Sequence, residues 1–124
     1  IRDTDRSRGL GDVYKRQIRE YTERFYPIDF TLDEIRPDYD FVETCQGSVP
    51  QALEAFFEST GFEDAIRNAV SIGGDSDTIA DMAGAIAEAY YGADPEMKNI
   101  ALSYLDQDLL DIAEEFERRI ILKV

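Results

Sequence analysis

The sequence predicts an all-α fold, a helical bundle. Three observations lead there. Apolar residues recur at spacings of three and four along most of the chain. Helix start and stop signals punctuate it, in the form of Thr, Ser and Asp caps, prolines and glycines. The period-two alternation of strands is weak throughout. A chain of 124 residues suits one small domain, or a piece of a larger one.

Residues 1–17, IRDTDRSRGLGDVYKRQ, show no helical or alternating period that continues past residue 17. Only Ile1, Leu10, Val13 and Tyr14 are sizeable apolar side chains there, and no methionine begins the stretch. It reads as a non-native linker or disordered segment, and residues 18–124 carry the fold. IREYTERFY is a helix stopped by Pro27. Thr31 and Glu34 make a capping box for a helix that Pro37 keeps brief. DYDFVETCQG is irregular or a short strand. Ser48 and Gln51 make a second capping box, with Pro50 in the first turn, and Val49, Leu53, Phe56 and Phe57 continue at helical spacing. Ala65, Ile66, Ala69 and Val70 give a short amphipathic helix ending near Gly73.

The central helix runs from Asp75 to Tyr91, with Gly92 as its stop. One side carries Ile79, Met82, Ile86 and Tyr90. Another carries Ala80, Ala83, Gly84 and Ala87, small enough for a neighbouring backbone to come close. This is the expected middle of the bundle. Leu102, Leu105, Leu109, Ile112, Phe116 and Ile120 then make one amphipathic helix or two, with the acidic run from Asp106 to Glu117 as the wet face.

Composition excludes several function classes. Net charge is −14, which argues against binding a nucleic-acid backbone. The charge is uneven: residues 1–26 carry a net of +2 and the remainder −16. There is no histidine and one cysteine, Cys45, so a zinc site is disfavoured. The lone thiol fits a reducing, cytoplasmic setting and reads as a small buried apolar residue. No apolar run approaches the roughly 18 residues a membrane span needs.

The chemistry concentrates in SIGGDSDT, residues 71–78. On one reading Asp75 is an N-cap whose carboxylate accepts from the amides of Asp77 or Thr78, and the helix dipole welcomes the charge. On the other, Asp75, Asp77 and Thr78 are oxygen ligands for a hard cation such as Mg²⁺, Mn²⁺ or Ca²⁺. One cap needs one aspartate. Two buried carboxylates side by side would force a proton onto one of them unless a cation intervened. Gly73 and Gly74 permit a tight turn and leave room for a ligand. The motif is no EF-hand, since Ile79 and Ala80 stand where that loop wants an oxygen ligand and a glycine. Nor is it a P-loop, for no lysine comes after the glycines. Asp81 and Glu88 continue the face of Asp77 but read as a solvated edge, Tyr90 and Tyr91 as core, and Ser48 as a cap.

GGDSDTIADMAGAIAEAYYG, with SVPQAL and FEDAIRNAV before it, resembles the C-terminal signature of the ADP-ribosylglycohydrolase family. The resemblance is close from Tyr39 to Gly92 and looser over the last helix. It implies that residues 18–124 are the C-terminal part of such an all-α domain. It implies a hydrolase that cleaves the C1″ bond between ADP-ribose and a modified protein side chain or small acceptor. It implies a pair of Mg²⁺ ions, with Mn²⁺ as the substitute. On that resemblance Asp75, Asp77 and Thr78 are metal ligands, Asp77 bridges both ions, and Gly73 and Gly74 line the substrate cleft. The family's other half-site, an acidic residue in a glycine-rich segment and a T/D-D-D cluster, has no counterpart here. The DTD at Asp3–Asp5 lacks the surrounding family sequence and is not assigned. The general base is therefore unassigned, and the chain alone is expected to be inactive. The alternative function is a non-catalytic ADP-ribose-binding or crystallin-like structural protein of the same fold.

Overall fold

The computed structural model describes residues 5–121, with side chains placed at residues 11–120. These residues form α1 (Asp5–Thr22), α2 (Leu32–Ile35), α3 (Cys45–Phe57), α4 (Phe62–Ser71), α5 (Ser76–Tyr91), α6 (Pro95–Ser103) and α7 (Gln107–Phe116). A π-helical turn over Glu117–Ile121 comes last, and there is no strand among the described residues. The chain divides into two compact units between Gly92 and Ala93.

In the first unit, α3, α4 and α5 pack on one another through small side chains. Leu32, Ala52, Ala55, Ala69, Ile72, Ile79 and Ala83 form one buried cluster, and Phe56, Ala65 and Ala87 a second. Alanine at these contacts lets the helix axes approach closely. The small-residue side of α5 does this at Ala83 and Ala87, both fully buried. Gly84 is not forced by space, because a Cβ there would lie 3.5 Å from Ile66 Cδ1, an ordinary contact. Nor is α5 wrapped on all sides: Asp81, Ala85, Glu88 and Ala89 are exposed.

Threonine caps set the starts of α2 and α3. Thr31 accepts from the Glu34 amide at 3.3 Å and α2 ends before Pro37, as expected. The start of α3 differs. Thr44, not Ser48, is its N-cap, accepting from the Gly47 amide at 3.2 Å. The helix thereby gains a turn upstream, and Ser48 sits buried inside it with its hydroxyl donating to the Thr44 carbonyl at 2.8 Å. Pro50 falls in the helix interior rather than its first turn. Cys45, expected buried, opens the helix and is exposed. Residues 39–44 are irregular, with no strand.

The absence of a continuing helical period across residues 1–17 is corrected from Asp5 onward: α1 runs unbroken through Ile18 to Thr22. Ile18 packs against the Phe56, Ala65 and Ala87 cluster, but the contacts made by the residues on either side of it are basic, and hydrophobic spacing does not reveal those. Lys15 donates to the Phe57 and Ser59 carbonyls and lies 5.1 Å from the ring centroids of Phe56 and Tyr91. Arg19 pairs with Glu54 at 2.7 Å and stacks 4.5 Å from the centre of the Phe57 ring. Asp3 and Thr4 lie outside the described residues.

Tyr90 and Tyr91 pack as core. Their rings meet edge to face, each also contacts Phe56, and the Tyr91 hydroxyl donates to the Ser59 carbonyl at 2.8 Å.

In the second unit the expected amphipathic segment is two helices. Asp94 caps α6 through the Glu96 amide at 2.9 Å, and Asp106 caps α7 through the Leu109 amide at 3.0 Å. Lys98 pairs with Glu117 across them. Acidic side chains take the wet face, yet Leu109, Ile112, Phe116 and Ile120 are also exposed.

Candidate functional site

The turn between α4 and α5 is built by two left-handed glycines. Ile72, 2 % exposed, closes α4. Gly73 then takes φ 77° and Gly74 φ 69°, values that residues with a Cβ adopt only at a cost of about 1–2 kcal/mol. The two differ in surroundings. A Cβ on Gly73 would meet open space. A Cβ on Gly74 would lie 2.6 Å from Tyr39 Cε1 and 3.1 Å from the Asp40 carbonyl oxygen. The turn delivers Asp75 to the N-cap position of α5 and Asp77 to its first turn.

Asp75 holds the cap position without capping: its side chain accepts no helix amide. The Thr78 amide is taken by the carboxylate of Asp77, at 3.0 Å. The Asp75 carboxyl instead shares a hydrogen bond with that of Asp77. This bond raises the Asp75 pKa above the ordinary aspartate value, against the pull of the Thr78 hydroxyl, and nearby Glu43 adds repulsion. The same bond holds the Asp77 pKa below the ordinary value. Asp75, Asp77 and Thr78 are thus brought together. The expected burial is corrected, for Asp77 and Thr78 are exposed and Asp75 only half-buried. The first turn of α5 projects outward while Ile79 anchors it in the core.

Tyr39 and Glu43 join this site from the segment between α2 and α3, and sequence reasoning passed over both. Burial, then the Asp75 charge, raises the Tyr39 pKa. The Tyr39 hydroxyl donates to the Gly47 carbonyl at 2.5 Å. No spacing rule relates residues 39 and 43 to residue 75. Asp81 and Glu88 are solvent-exposed, as expected.

The donors present are two carboxylates and a hydroxyl, all hard oxygen, which suits Mg²⁺ or Mn²⁺ in kind. In number they fall short of a complete site. Among the described residues no three Asp, Glu, Cys or His side chains converge for a metal ion.

The model of the ADP-ribosylglycohydrolase family matches residues 3–122. That span includes most of the stretch read as a linker. The human protein named ADP-ribosylhydrolase ARH3 (Homo sapiens) is 36 % identical over 94 residues, covering 61 % of this chain and 26 % of the relative. The zebrafish protein of the same name (Danio rerio) is 44 % identical over 61 residues, covering 48 % of this chain and 15 % of the relative. The chain thus spans about a quarter or less of these relatives. No solved structure matches it. With a match along nearly its whole length, the chain belongs to the ADP-ribosylglycohydrolase family.

Proposed function

We propose that this chain carries one half of the divalent-metal site of a hydrolase that releases ADP-ribose from modified proteins or small acceptors. Family membership supports the reaction class. One observation carries the site: Asp75 stands at the N-cap of α5 without capping it, its carboxyl turned to Asp77. With no helix amide to satisfy, that carboxyl is left to its Asp77 and Thr78 neighbours, the side chains that would share a cation with it.

Asp75, Asp77 and Thr78 would hold the ions, Mg²⁺ by preference and Mn²⁺ as a substitute. A bound pair of divalent ions supplies neutralising charge, polarisation of the ribose and a water of lowered pKa. The chain's own residues set the stage. Asp77, its pKa lowered by its hydrogen bonds, is ionised at neutral pH. Gly73 leaves space beside the site, and with Gly74 would let the substrate approach the backbone. With divalent ions held there, an acidic chain of net charge −14 would be able to receive an anionic diphosphate.

The chain covers 26 % of its human relative, and its donors make up a partial ligand set. We read it as inactive alone, the remaining ligands and the general base lying in the preceding part of the family domain. No described helix is long and apolar enough to cross a membrane. A cytoplasmic setting rests on the single thiol alone.

The test is thermal shift of the completed protein with ADP-ribose, with and without Mg²⁺, beside Asp77→Ala. A ligand at 100 times its Kd adds about 2.7 kcal/mol to a native state it alone binds. A Mg²⁺-dependent shift lost in Asp77→Ala is the expected result. A folded protein with no shift returns Asp75 and Asp77 to the role of surface carboxylates.

A further inference from the structure

We propose that Tyr39 is a positioning residue for the Asp75–Asp77 pair, holding the Gly73–Gly74 turn in the one conformation that brings the two carboxyls together. The metal role of that pair rests on the proposed function; the bracing of the turn does not.

Asp77 needs little help, because α5 fixes it from below through Ile79. Asp75 is different. It lies outside the helix, and its place is set by the backbone torsions of the two residues before it. Both are glycines with positive φ, the residue type with the widest choice of conformation. The geometry of the carboxyl pair therefore depends on whatever restrains Gly73 and Gly74.

A Cβ on Gly73 would meet open space, and what holds this residue is its own amide, which donates to the Val70 carbonyl at 3.1 Å. Gly74 has the Tyr39 ring, close enough that even one added carbon would clash. That ring is itself fixed at both ends. Its body packs against the cluster of Leu32, Ile72 and Ile79, and its hydroxyl donates to the Gly47 carbonyl in the first turn of α3, at 2.5 Å. Tyr39 thus links the start of α3 to the turn that starts α5. A second contact holds the other end of the turn: Arg36 Nη2 donates to Ser71 Oγ at 3.0 Å, just before Ile72. The segment from Arg36 to Tyr39 thus touches the turn twice, at Ser71 before the glycines and at Gly74 itself. Of the two contacts, only that of Tyr39 bears on the residue next to Asp75.

The proposal is tested by amide hydrogen exchange on the whole chain without metal, comparing wild type, Tyr39→Phe and Tyr39→Ala. The amides that report are those of Ser76, bonded to the Gly74 carbonyl, and of Thr78, bonded to Asp77. Tyr39→Ala should speed their exchange about tenfold, while Ala83 and Ala87 in mid-helix stay protected. Tyr39→Phe keeps the ring on Gly74 and should restore near wild-type exchange. Unchanged exchange in Tyr39→Ala overturns the proposal, and so does uniform loss of protection along α5, which would make Tyr39 mere packing. Mn²⁺ titration of the same three proteins reads the metal role separately. Tyr39→Ala should weaken Mn²⁺ binding about tenfold, as loss of an orienting partner does, with Tyr39→Phe within about twofold. Equal Mn²⁺ affinity in all three overturns the positioning role. A wild type that takes up no Mn²⁺ under conditions where the exchange result holds sinks the metal reading and leaves the brace standing.

Discussion

Replacing Glu54 by glutamine should change how stability depends on pH, in a direction set by its burial. Glu54 lies in α3 with 3 % of its surface exposed and Arg19 Nη2 at 2.7 Å from its carboxylate. Burial pushes its pKa up from 4.5 to about 7, a hydrogen bond with Glu58 adds to the rise, and Arg19 opposes it. The folded chain therefore holds this proton more tightly than the unfolded chain. The stabilisation is fully present below pH 4.5 and drains away as pH rises through about 7. At about 1.4 kcal/mol per pH unit, the window is worth about 3 kcal/mol. Glu58 also accepts from the Leu32 amide at 2.9 Å. The assay is urea unfolding at pH steps from 4.5 to 8.5, wild type beside Glu54→Gln. Carboxylates that do not touch Glu54 are common to both proteins and cancel in the difference. Between these limits wild type should lose about 3 kcal/mol more than the variant. Parallel curves would refute the reasoning, since a titrating buried carboxyl cannot leave the difference flat.

Other expectations rest on the same contacts. Gly73→Ala meets only the left-handed φ and should destabilise by about 1 kcal/mol. Gly74→Ala adds a clash with Tyr39 and should cost about 1–3 kcal/mol more by chemical denaturation; equal losses would deny the Tyr39 contact. Ala83→Leu forces bulk between closely packed helices and should cost at least about 2 kcal/mol, whereas Gly84→Ala, with room beside Ile66, should be neutral or slightly stabilising. A chain that starts at Ile18 loses the Lys15 contacts but keeps Arg19 with Glu54. Circular dichroism melts should show this shortened chain still folded and weaker by about 1 kcal/mol; failure to fold would show that the first turns of α1 carry more of the bundle than the Lys15 contacts.

Much of the bundle was legible because helices announce themselves locally. Thr31 before Glu34, Pro37 behind them and Gly92 after Tyr91 each act within one turn, and the structure uses all three. The start of α3 was misplaced because two threonine- and serine-type caps stand four residues apart. The choice between Thr44 and Ser48 is made by packing, which buries Ser48. Residues 5–17 were illegible as helix because their anchors are Lys15, on aromatic faces and carbonyls, and the Gly11 carbonyl, which accepts from the Tyr90 hydroxyl, interactions with no sequence period. Asp75 and Asp77 were visible as a pair because they are two residues apart. Tyr39 and Glu43 were not, because only the folded chain brings residues some 30 positions upstream to the same turn.

Half of the buried apolar residues described in the first unit are alanines: Ala52, Ala55, Ala65, Ala69, Ala83 and Ala87. An alanine freezes no side-chain rotamer when it is ordered, so this seam forms with little entropic opposition. It also makes sequence drift one-sided. Phe56 or Ile79 could trade volume with a neighbour and leave the total unchanged. The seam positions have almost nothing to give away and no room to receive, so glycine and serine are the exchanges open to them. Lineages carrying this fold should therefore diverge at their large core residues while the alanines stand nearly still, held by the spacing of helix axes rather than by any chemistry of their own.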